Sequence, residues 1–569
     1  MPLYLTARLD AASHAGGLPA SGGAPAGVPD AGVPAGVVAL RAAELHRPGG
    51  AGAWLPTAAP VVACGEDLVW CRPVAVAPAR RRRNGSVVAV GWLPEHVRLG
   101  VLENLMPAGL IDQLVAEAPG VRDTQRRRVM SAALVVRFVL ALALWPEADY
   151  VEVMRRLVGD LPDLPWEHAW QVPGSRVISD WRARVPAVLF QRLFWAVAGP
   201  LADEQEPGMH INGLLVCALD GFMVDLPDTE ANRQRFGSAG CKDNTGPFPQ
   251  LRAVLMVACG SRGALAAAVG PARRGEQTLT RRLVAAHPDA FGPGLLIIMD
   301  RNFPGYRLIE AIRTAGAHVL IRIKAGIQLP VVRTARDGSY LTYITDRRRG
   351  VCMMLRVVEY NVSVPGRDEV SETFTLATSL LDLDQWPADQ LRAAYPLRWS
   401  GAETAIGQDK SAITDAGPSR GPMLRAQAPE QVLQEFWAWL ATTQLIRAAG
   451  AHAAAAANTA TLRVGLPSRP RDVLTDPVTC REIGFTASRR AVAATVWRTT
   501  IPSPEALAAQ ARTTAIAILS DLLQPDRHRY KDRRVKWRPD FPHTSTTLPT
   551  HHGPATINPF PVSRPHDTS

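Results

Sequence analysis

Three acidic residues lie in sequence contexts that suit metal-dependent chemistry. Asp220 follows the apolar run GLLVCAL, Asp300 follows GLLIIM, and Glu403 stands in the segment YPLRWSGAETAIGQDK. Carboxylate oxygens are the protein ligands that Mg²⁺ prefers. Three carboxylates can hold two ions about 3.5–4 Å apart, which activate an attacking oxygen and stabilise a leaving oxygen in phosphoryl transfer. The residue types therefore point to a site for metal-assisted phosphoryl transfer.

A tyrosine, an arginine and a lysine surround the glutamate in the same segment. Tyr395 and Arg398 precede Glu403, and Lys410 follows it by seven positions. Glu403 and Lys410 would share one face of a helix, because seven positions are close to two full turns. Arginine and lysine side chains neutralise phosphate oxygens. The segment is therefore suited to binding a divalent metal and a phosphate together.

Simpler roles are compatible with the same residues. Ser400 followed three positions later by Glu403 has the capping-box pattern, in which the two side chains accept from backbone N–H groups at a helix start. A single aspartate at the end of a strand is usually a turn or cap residue. Two neighbouring strands that both end in aspartate, Asp220 and Asp300, instead place two carboxylates at the edge of a sheet where ligands bind. The residues alone leave both interpretations open.

The elements that would position these residues form an α/β pattern between residues 206 and 445. Strands are expected at 213–220, 251–260, 264–271, 294–300 and 318–324, with helices at 275–286 and from Pro304 onwards. This order predicts a mixed sheet covered by helices on both faces. Short β-like pieces predict a β-rich insertion at about 326–380 in the same domain.

Residues 94–205 predict an all-helical domain. Apolar spacing indicates helices at about 129–145, 147–158 and 186–199, and a basic helix at 175–184 follows a Pro-Gly break. Such a domain could bind DNA, or it could be a helical bundle that serves only as a packing or dimerisation surface. The sequence favours neither role over the other.

The remaining segments are expected to be less ordered. Residues 1–93 are rich in Ala, Gly, Pro and Val without apolar periodicity, which predicts a disordered and dispensable segment. Residues 446–524 predict a helical C-terminal region in which the alanine run 453–457 and residues 465–480 are loops. The basic residues 525–569 predict a disordered tail.

Composition and charge limit the classes of function. The chain has 569 residues, a net charge of +11 and a pI of about 9.7, which suits a polyanionic partner but is weak support for one. Seven scattered cysteines without CxxC spacing indicate a reducing cytoplasm and no structural metal. The most apolar run, 129–145, is short for a bilayer and contains Arg137, and the N-terminus lacks a signal-peptide pattern. We therefore expect a cytoplasmic, nucleoid-associated protein that contacts no membrane.

The order of elements and three motifs resemble the DDE transposases of bacterial insertion sequences. The motifs are ALDGFMVDLPDTEANRQRFG, IIMDRNFPGYRLIEAIR and YPLRWSGAETAIGQDK. The chain is most similar, over about residues 94–445, to insertion-sequence family four, which is defined by a Tyr-Arg-Glu-Lys signature. This resemblance implies an α/β, RNase H-like catalytic domain with a β-rich insertion, preceded by an all-helical N-terminal domain.

The resemblance also implies roles for the residues introduced above. The catalytic, metal-binding residues would be Asp220, Asp300 and Glu403, which would hold two Mg²⁺ ions for which Mn²⁺ can substitute. The residues that contact DNA phosphates at the transposon end would be Tyr395, Arg398 and Lys410. The family has three residues between the arginine and the glutamate, whereas this chain has four. The additional residue predicts a loop before a helix that starts at Ser400.

As a function, the resemblance implies a Mg²⁺-dependent DNA transposase. It would bind the terminal inverted repeats of its insertion sequence, cleave phosphodiester bonds and join the 3′-OH ends to target DNA. The partners would be double-stranded DNA at the transposon ends and the target, and acting on two ends implies a homodimer in the DNA complex. Two other functions remain open: a stand-alone metal-dependent nuclease with the same three carboxylates, and a catalytically inactive, DNA-binding relic of a transposase.

Overall fold

The computed structural model describes most of the chain between residues 92 and 523, together with short segments on either side. The described residues are 61–64, 67–70, 92–118, 120–121, 129–159, 161–163, 169–238, 246, 248–324, 327, 329–363, 372–413, 423–459, 476–496, 504–523, 529–531, 550–552 and 556–559.

Short strands occur in both segments for which the sequence predicts disorder. β1 (Val61–Cys64) pairs antiparallel with β2 (Asp67–Trp70), and β13 (Arg529–Lys531) pairs antiparallel with β14 (Thr550–His552). β15 (Thr556–Pro559) pairs with a strand of the main sheet. The predictions of disorder at 1–93 and 525–569 are therefore wrong for these strands. Most other residues of both segments, and residues 465–475 of the expected loop, lie outside the described residues.

Within the described residues, six α-helices precede the main sheet. They are α1 (Val101–Asn104), α2 (Leu110–Glu117), α3 (Ala132–Ala141), α4 (Tyr150–Val158), α5 (Ser175–Arg182) and α6 (Ala187–Val197). Several are shorter than their apolar patterns predict, because capping residues fix where they begin. Ser131 accepts a hydrogen bond from the backbone N–H of Leu134, and Asp149 accepts one from that of Glu152.

The main sheet has the strand order β6–β5–β4–β7–β8–β12–β11–β10–β9. Its first strands are β4 (Leu214–Asp225), β5 (Gln250–Ala258), β6 (Ala264–Pro271), β7 (Leu295–Met299) and β8 (His318–Arg322), with the short β3 (His210–Ile211) beside β4. The helix α7 (Glu230–Phe236) connects β4 and β5. β7 is parallel to β4 and to β8, whereas β4, β5 and β6 form an antiparallel meander. Counted along the chain, these five strands lie in the order 3-2-1-4-5. The RNase H-like α/β fold is confirmed.

The interval 326–380 continues the same sheet. It contains β9 (Arg333–Thr334), β10 (Tyr340–Asp346), β11 (Val351–Ser363) and β12 (Glu372–Thr378), and β12 pairs antiparallel with β8. The β-rich insertion therefore extends the sheet sideways from β8. Its described strands all belong to this one sheet and form no separate layer.

Helices cover both faces of the sheet, as a strand buried on both sides requires. All five residues of β7 are buried. Ile297 and Met299 pack with apolar residues of α8 (Glu276–Ala286) and α9 (Tyr306–Ala315). Leu296 and Ile298 belong to the apolar cluster of the other face, which includes the N-terminal helices and the helices after residue 404. None of the helices in the described ranges is long and apolar enough to cross a membrane.

A long buried helix, α12 (Pro429–Ala457), joins the N-terminal helices to the main sheet. It packs against α3, α6, α13 (Phe485–Ala493) and α14 (Pro504–Leu519). The alanine run 453–457 forms its last turns, so the prediction of a loop there is wrong. Alanine is the best helix former, and a helix that is apolar all round lacks the periodicity by which surface helices are recognised. The boundary expected after residue 445 falls inside this helix.

Candidate active site

The two aspartates lie side by side at one edge of the sheet. The parallel register of β4 and β7 pairs Leu219 with Met299; Asp220 is the next residue of β4, and Asp300 directly follows the last residue of β7. Asp220 is not at the end of its strand, because β4 continues to Asp225 while paired with β5. The expectation that β4 ends at Asp220 is wrong, as is a turn or cap role for this residue. Asp300 does begin a turn, since its carboxylate accepts hydrogen bonds from the backbone and side-chain amides of Asn302 at 2.7 and 3.1 Å.

The segment that carries Glu403 is helical without the predicted loop. α10 (Ala388–Ala394) is followed by a π-helical turn (Trp399–Glu403), which leads directly into α11 (Thr404–Ser411). The backbone N–H of Thr404 donates to the carbonyl of Trp399, five residues earlier. A helix start at Ser400 and a capping box are both wrong. The Ser400 hydroxyl donates to the carbonyl of Leu397 at 3.2 Å, and the Glu403 carboxylate accepts from a side chain.

The π turn brings Arg398 and Glu403 together. In an α-helix two residues five positions apart point about 140° away from each other, because each residue turns the helix by about 100°. In a π turn, residues five apart are neighbours. Arg398 Nη2 lies 2.7 Å from Glu403 Oε1, and the additional residue noted in the sequence is accommodated without separating the pair.

Arg398 also reaches the sheet. Its Nη1 donates to Asp220 Oδ2 at 3.2 Å, so one guanidinium bonds the carboxylates of β4 and of the helical segment. The side chain of Arg398 is 8% exposed, that of Asp220 18% and that of Glu403 45%. A mostly buried cation therefore neutralises two partly exposed carboxylates, and the glutamate is the member most open to solvent.

Burial and like charges raise the pKa of Asp220. Loss of hydration raises this pKa from 3.8 to about 6 and is the largest cause. The negative charges of Asp300 and Glu403 act in the same direction, whereas the Arg398 cation and the backbone N–H of Gly221 oppose the shift. The carboxylates of Asp300 and Glu403 thus lie close enough to Asp220 to affect its pKa.

Two family descriptions match this chain. The description "Insertion element 4 transposase N-terminal" matches residues 96–195, and "Transposase DDE domain" matches residues 212–408. Together the matches span just over half of the chain. The chain belongs to the DDE transposases of the insertion element 4 type. The resemblance inferred from the three motifs is confirmed. The second match ends before Lys410, so the complete Tyr-Arg-Glu-Lys signature stays a prediction.

One solved structure with some similarity is a cryo-EM structure of a piggyBac transposase synaptic complex with hairpin DNA. The identity is 10%, the alignment covers 70% of this chain and 72% of that chain, and the TM-score is 0.33. At this TM-score the likeness has no bearing on the fold or the function. No curated protein matches the chain.

In the transposase, Tyr395 lies behind Arg398. It is 1% exposed and packs edge-on against Trp399 and Phe374, with ring centroids 5.5 and 5.9 Å apart. Burial raises the pKa of Tyr395 to about 12, although a hydrogen bond with Arg398 and the charge of this arginine oppose the shift. The phenol is therefore neutral and contacts the guanidinium from the protein side.

Lys410 also lies near Asp220. Its ammonium is 5.7 Å from the centroid of the Phe222 ring, two residues after Asp220 on β4. Burial lowers the pKa of Lys410, and the nearby carboxylates of Asp220 and Asp225 oppose this shift. The Lys410 ammonium thus lies near Asp220 and Asp225, whereas a helical face shared with Glu403 stays a prediction.

The donor set suits a hard divalent cation in its chemistry. All three side chains offer carboxylate oxygens, and two of them already share one cation, the Arg398 guanidinium. In the described part of the chain, no three His, Cys, Asp or Glu side chains are close enough together to hold a metal ion. The carboxylates of Asp220 and Glu403 meet at Arg398, and Asp300 lies close to Asp220 without completing a metal site.

A buried ion pair that the sequence did not reveal fixes α11. Asp409 is fully buried and bonds Arg447 of α12 at 2.5 Å, and Arg447 also donates to the carbonyl of Ala405 at 2.9 Å. The indole N–H of Trp439 donates to the carbonyl of Asp409 at 2.9 Å. An acidic residue next to Lys410 in a helix was the available signal, but its partner lies 38 residues away.

The turn between β5 and β6 contacts the π turn through a hydrogen bond and through close packing. Arg262 Nε donates to the carbonyl of Ser400 at 2.9 Å. Gly401 packs on Cys259, and a Cβ at Gly401 would lie 3.0 Å from the Cα of Cys259. The hydroxyl of Thr404, the first residue of α11, donates to the carbonyl of Trp399 in the π turn at 2.8 Å. These contacts could not be predicted from the sequence, because the residues around Arg262 and Cys259 indicate only a short turn between two strands.

Proposed function

We propose that this protein is an active transposase that binds the terminal inverted repeats of its own element, cleaves the DNA there and joins the freed 3′-OH ends to target DNA. Asp220, Asp300 and Glu403 are the catalytic residues in this proposal. The main observation in support is that Arg398 forms ion pairs with both Asp220 and Glu403. The register of the parallel strands places Asp300 beside Asp220. Side chains far apart in sequence converge on one cationic position.

Divalent ions, Mg²⁺ or Mn²⁺, would be held by the same three carboxylates. Bound ions would activate the attacking oxygen and stabilise the leaving oxygen of an in-line displacement. Asp220 requires a cation most, because its burial beside two other carboxylates makes its ionised form unfavourable. Glu403 is the most exposed of the three and therefore faces the solvent side from which DNA approaches.

The basic residues would hold the DNA backbone. Arg398 and Lys410 flank Asp220, and both would neutralise phosphates next to the bond that is cut. Tyr395 would act through Arg398, since its buried phenol contacts the guanidinium. Contacts of this kind carry no base preference, so recognition of a particular repeat would have to come from other residues.

The test is an end-cleavage and strand-joining assay in Mg²⁺, with duplex DNA that carries the inverted repeats flanking the gene. The proposal predicts cleavage at the repeat end and joined products with target DNA. Asp220→Ala, Asp300→Ala and Glu403→Ala should each remove both activities and leave end binding largely intact, because phosphate contacts come from other side chains. Wild-type cleavage by any one of these variants would exclude that residue from the catalytic set.

The same assay separates the two alternative functions. Cleavage without joined products would indicate a stand-alone nuclease. Specific end binding with neither product would indicate an inactive relic. Acting on two ends also requires at least two copies of the chain in one DNA complex, and light scattering of the complex with end DNA measures that number.

A further inference from the structure

We propose that Arg262 is the positioning residue of the active site, because its side chain holds the π turn that makes Arg398 and Glu403 neighbours. This inference rests on the proposed function, since it concerns the orientation of Glu403, the proposed metal ligand. It assigns a role to a residue in the hairpin turn between β5 and β6, 138 residues before the carbonyl that it bonds.

The π turn is needed because of the number of residues between Arg398 and Glu403. The two residues are five positions apart, so a regular α-helix would point them about 140° away from each other. Trp399–Glu403 instead forms a π turn, and the two side chains meet at 2.7 Å. If the turn relaxed to regular α-helix, Glu403 would point away from the cation that it now shares with Asp220.

A π turn interrupts the regular ladder of helical hydrogen bonds, so carbonyl groups there can accept bonds from other donors. Two side chains provide such donors. Thr404 Oγ1 donates to the carbonyl of Trp399 at 2.8 Å, and Arg262 Nε donates to that of Ser400 at 2.9 Å. The threonine belongs to the helix itself. Arg262 therefore provides the side-chain bond that ties this part of the turn to the sheet.

The conformation of Arg262 indicates that its side chain is required. Its φ is 61°, in the left-handed region that disfavours residues with a Cβ, and it is one of two such non-glycine residues in the described ranges. A glycine would adopt this turn without strain. The residue is also 8% exposed, so a guanidinium is buried in a strained turn where a smaller residue would fold more easily.

The turn that carries Arg262 is itself fixed. The backbone N–H of Arg262 donates to the carbonyl of Ala258 at 2.9 Å. The hydroxyl of the buried Ser261 accepts from the backbone N–H groups of Leu201 and Gly263 at 3.3 and 3.2 Å. Cys259, at the end of β5, contacts Gly401 in the π turn. Arg262 thus links the π turn to a rigid turn next to the central strands.

The experiment measures Mn²⁺ binding to the full chain by electron paramagnetic resonance, with thermal unfolding recorded for each variant. Arg262→Ala should weaken Mn²⁺ binding by about 10–100-fold, the range typical of residues that orient metal ligands. Arg262→Lys keeps a cation but not the geometry of Nε, so it should lose less affinity. Wild-type affinity in the alanine variant overturns the proposal. If that variant does not fold, wild-type affinity in the lysine variant overturns it.

Arg182→Ala is the matched control for stability. Arg182 is a fully buried arginine in α5 that donates to the carbonyl of Gln431 at 3.1 Å, and it does not contact the site. Its loss should lower the unfolding temperature and leave the Mn²⁺ affinity unchanged. An equal loss of affinity in Arg182→Ala would mean that Mn²⁺ binding follows general stability, and the positioning role would be overturned.

Deletion of Ala402 tests the π turn directly. It leaves Arg398 and Glu403 four positions apart, where a regular α-helix already makes them neighbours. Arg262→Ala should then have little further effect on Mn²⁺ affinity, and an undiminished effect in the deletion background would overturn the proposal.

Asp220→Ala distinguishes failure of the proposed metal site from failure of the proposed role of Arg262. If it binds Mn²⁺ like the wild type, the proposed metal site fails, whereas failure of the Arg262 variants alone leaves that site intact.

Discussion

Arg398 joins two carboxylates through one guanidinium at distances of 3.2 and 2.7 Å. Charged hydrogen bonds of this kind are strong when they are shielded from water, and here the arginine side chain is 8% exposed. Asp220 is held within a paired strand and Glu403 within a helix, so neither moves far when the other is changed. A substitution at one of these residues is therefore expected to alter the site more than the fold.

Asp220→Asn should make the protein more stable and inactive at the same time. Because the pKa of Asp220 is raised from 3.8 to about 6, the folded protein retains a proton that the unfolded chain releases. Its contribution to stability therefore falls as pH rises between these two values and stays low above them. By this shift Asp220 costs up to about 3 kcal/mol above pH 6. The amide removes that cost and still accepts a bond from Arg398.

Urea unfolding of wild type and Asp220→Asn at a series of pH values checks this prediction. The variant should be more stable by about 1–3 kcal/mol above pH 6, and the difference should vanish near pH 3.8. A variant less stable than the wild type at neutral pH would mean that the ionised carboxylate stabilises the fold.

Lys410→Ala should weaken binding to end DNA and to scrambled DNA by similar factors. An ammonium that contacts one phosphate releases counterions, so its loss should reduce the slope of log affinity against log salt by about 0.9. The measurement is a salt titration in Ca²⁺, which suppresses cutting. Arg336→Ala is the control, because Arg336 is exposed and already paired with Asp384. An unchanged slope for Lys410→Ala would mean that the Lys410 ammonium interacts with the nearby carboxylates and not with DNA phosphates.

At the scale of elements, the π turn and α11 are the parts whose placement decides the site. A Cβ at Gly401 would be crowded, because it would lie 3.0 Å from the Cα of Cys259, whereas Gly407 in α11 has open space around it. Gly401→Ala should cost about 1–3 kcal/mol, since the backbone of β5 cannot yield. It should also slow cleavage, because Glu403 would be displaced.

Gly407→Ala is the matched substitution in the same helical segment. It should raise the free energy of unfolding by about 0.5–1 kcal/mol, because alanine is the better helix former and nothing obstructs its methyl group. Thermal or urea unfolding of both variants measures the contrast. A destabilised Gly407→Ala, or an unaffected Gly401→Ala, would contradict this placement of the helix.

Local patterns were sufficient to predict the elements that carry the acidic residues. Continuous apolar runs before Asp220 and Asp300 predicted buried neighbouring strands, and the segment of Glu403 and Lys410 was predicted to be helical. The π turn could not be predicted, because it depends on Arg262 and Cys259, which are distant in sequence. The pairing of Asp409 with Arg447 was missed for the same reason. The alanine run at 453–457 was misassigned because uniform alanine has no apolar period.

At the scale of the whole molecule, the N-terminal helices and the catalytic sheet share one apolar core through α12. The segment before residue 91 was expected to be dispensable, yet β2 lies alongside α14. A chain that starts at residue 58 should therefore melt like the full-length protein, whereas one that starts at residue 91 should melt at a lower temperature. Calorimetry of both chains checks this, and equal melting temperatures would restore the expectation that the whole segment is dispensable.

Asp220, Asp300 and Glu403 are proposed to act together as one metal-binding catalytic site. The most direct test of this proposal is the rate of end cleavage in Mg²⁺ for Glu403→Gln beside Ser400→Ala. An amide keeps the size of Glu403 and can accept from Arg398, but it lacks the charge that holds a divalent ion. Even partners of metal ligands cost about 10–100-fold when removed, so Glu403→Gln should lose more than about 100-fold while Ser400→Ala keeps wild-type activity. Near-normal cleavage by Glu403→Gln would contradict the account.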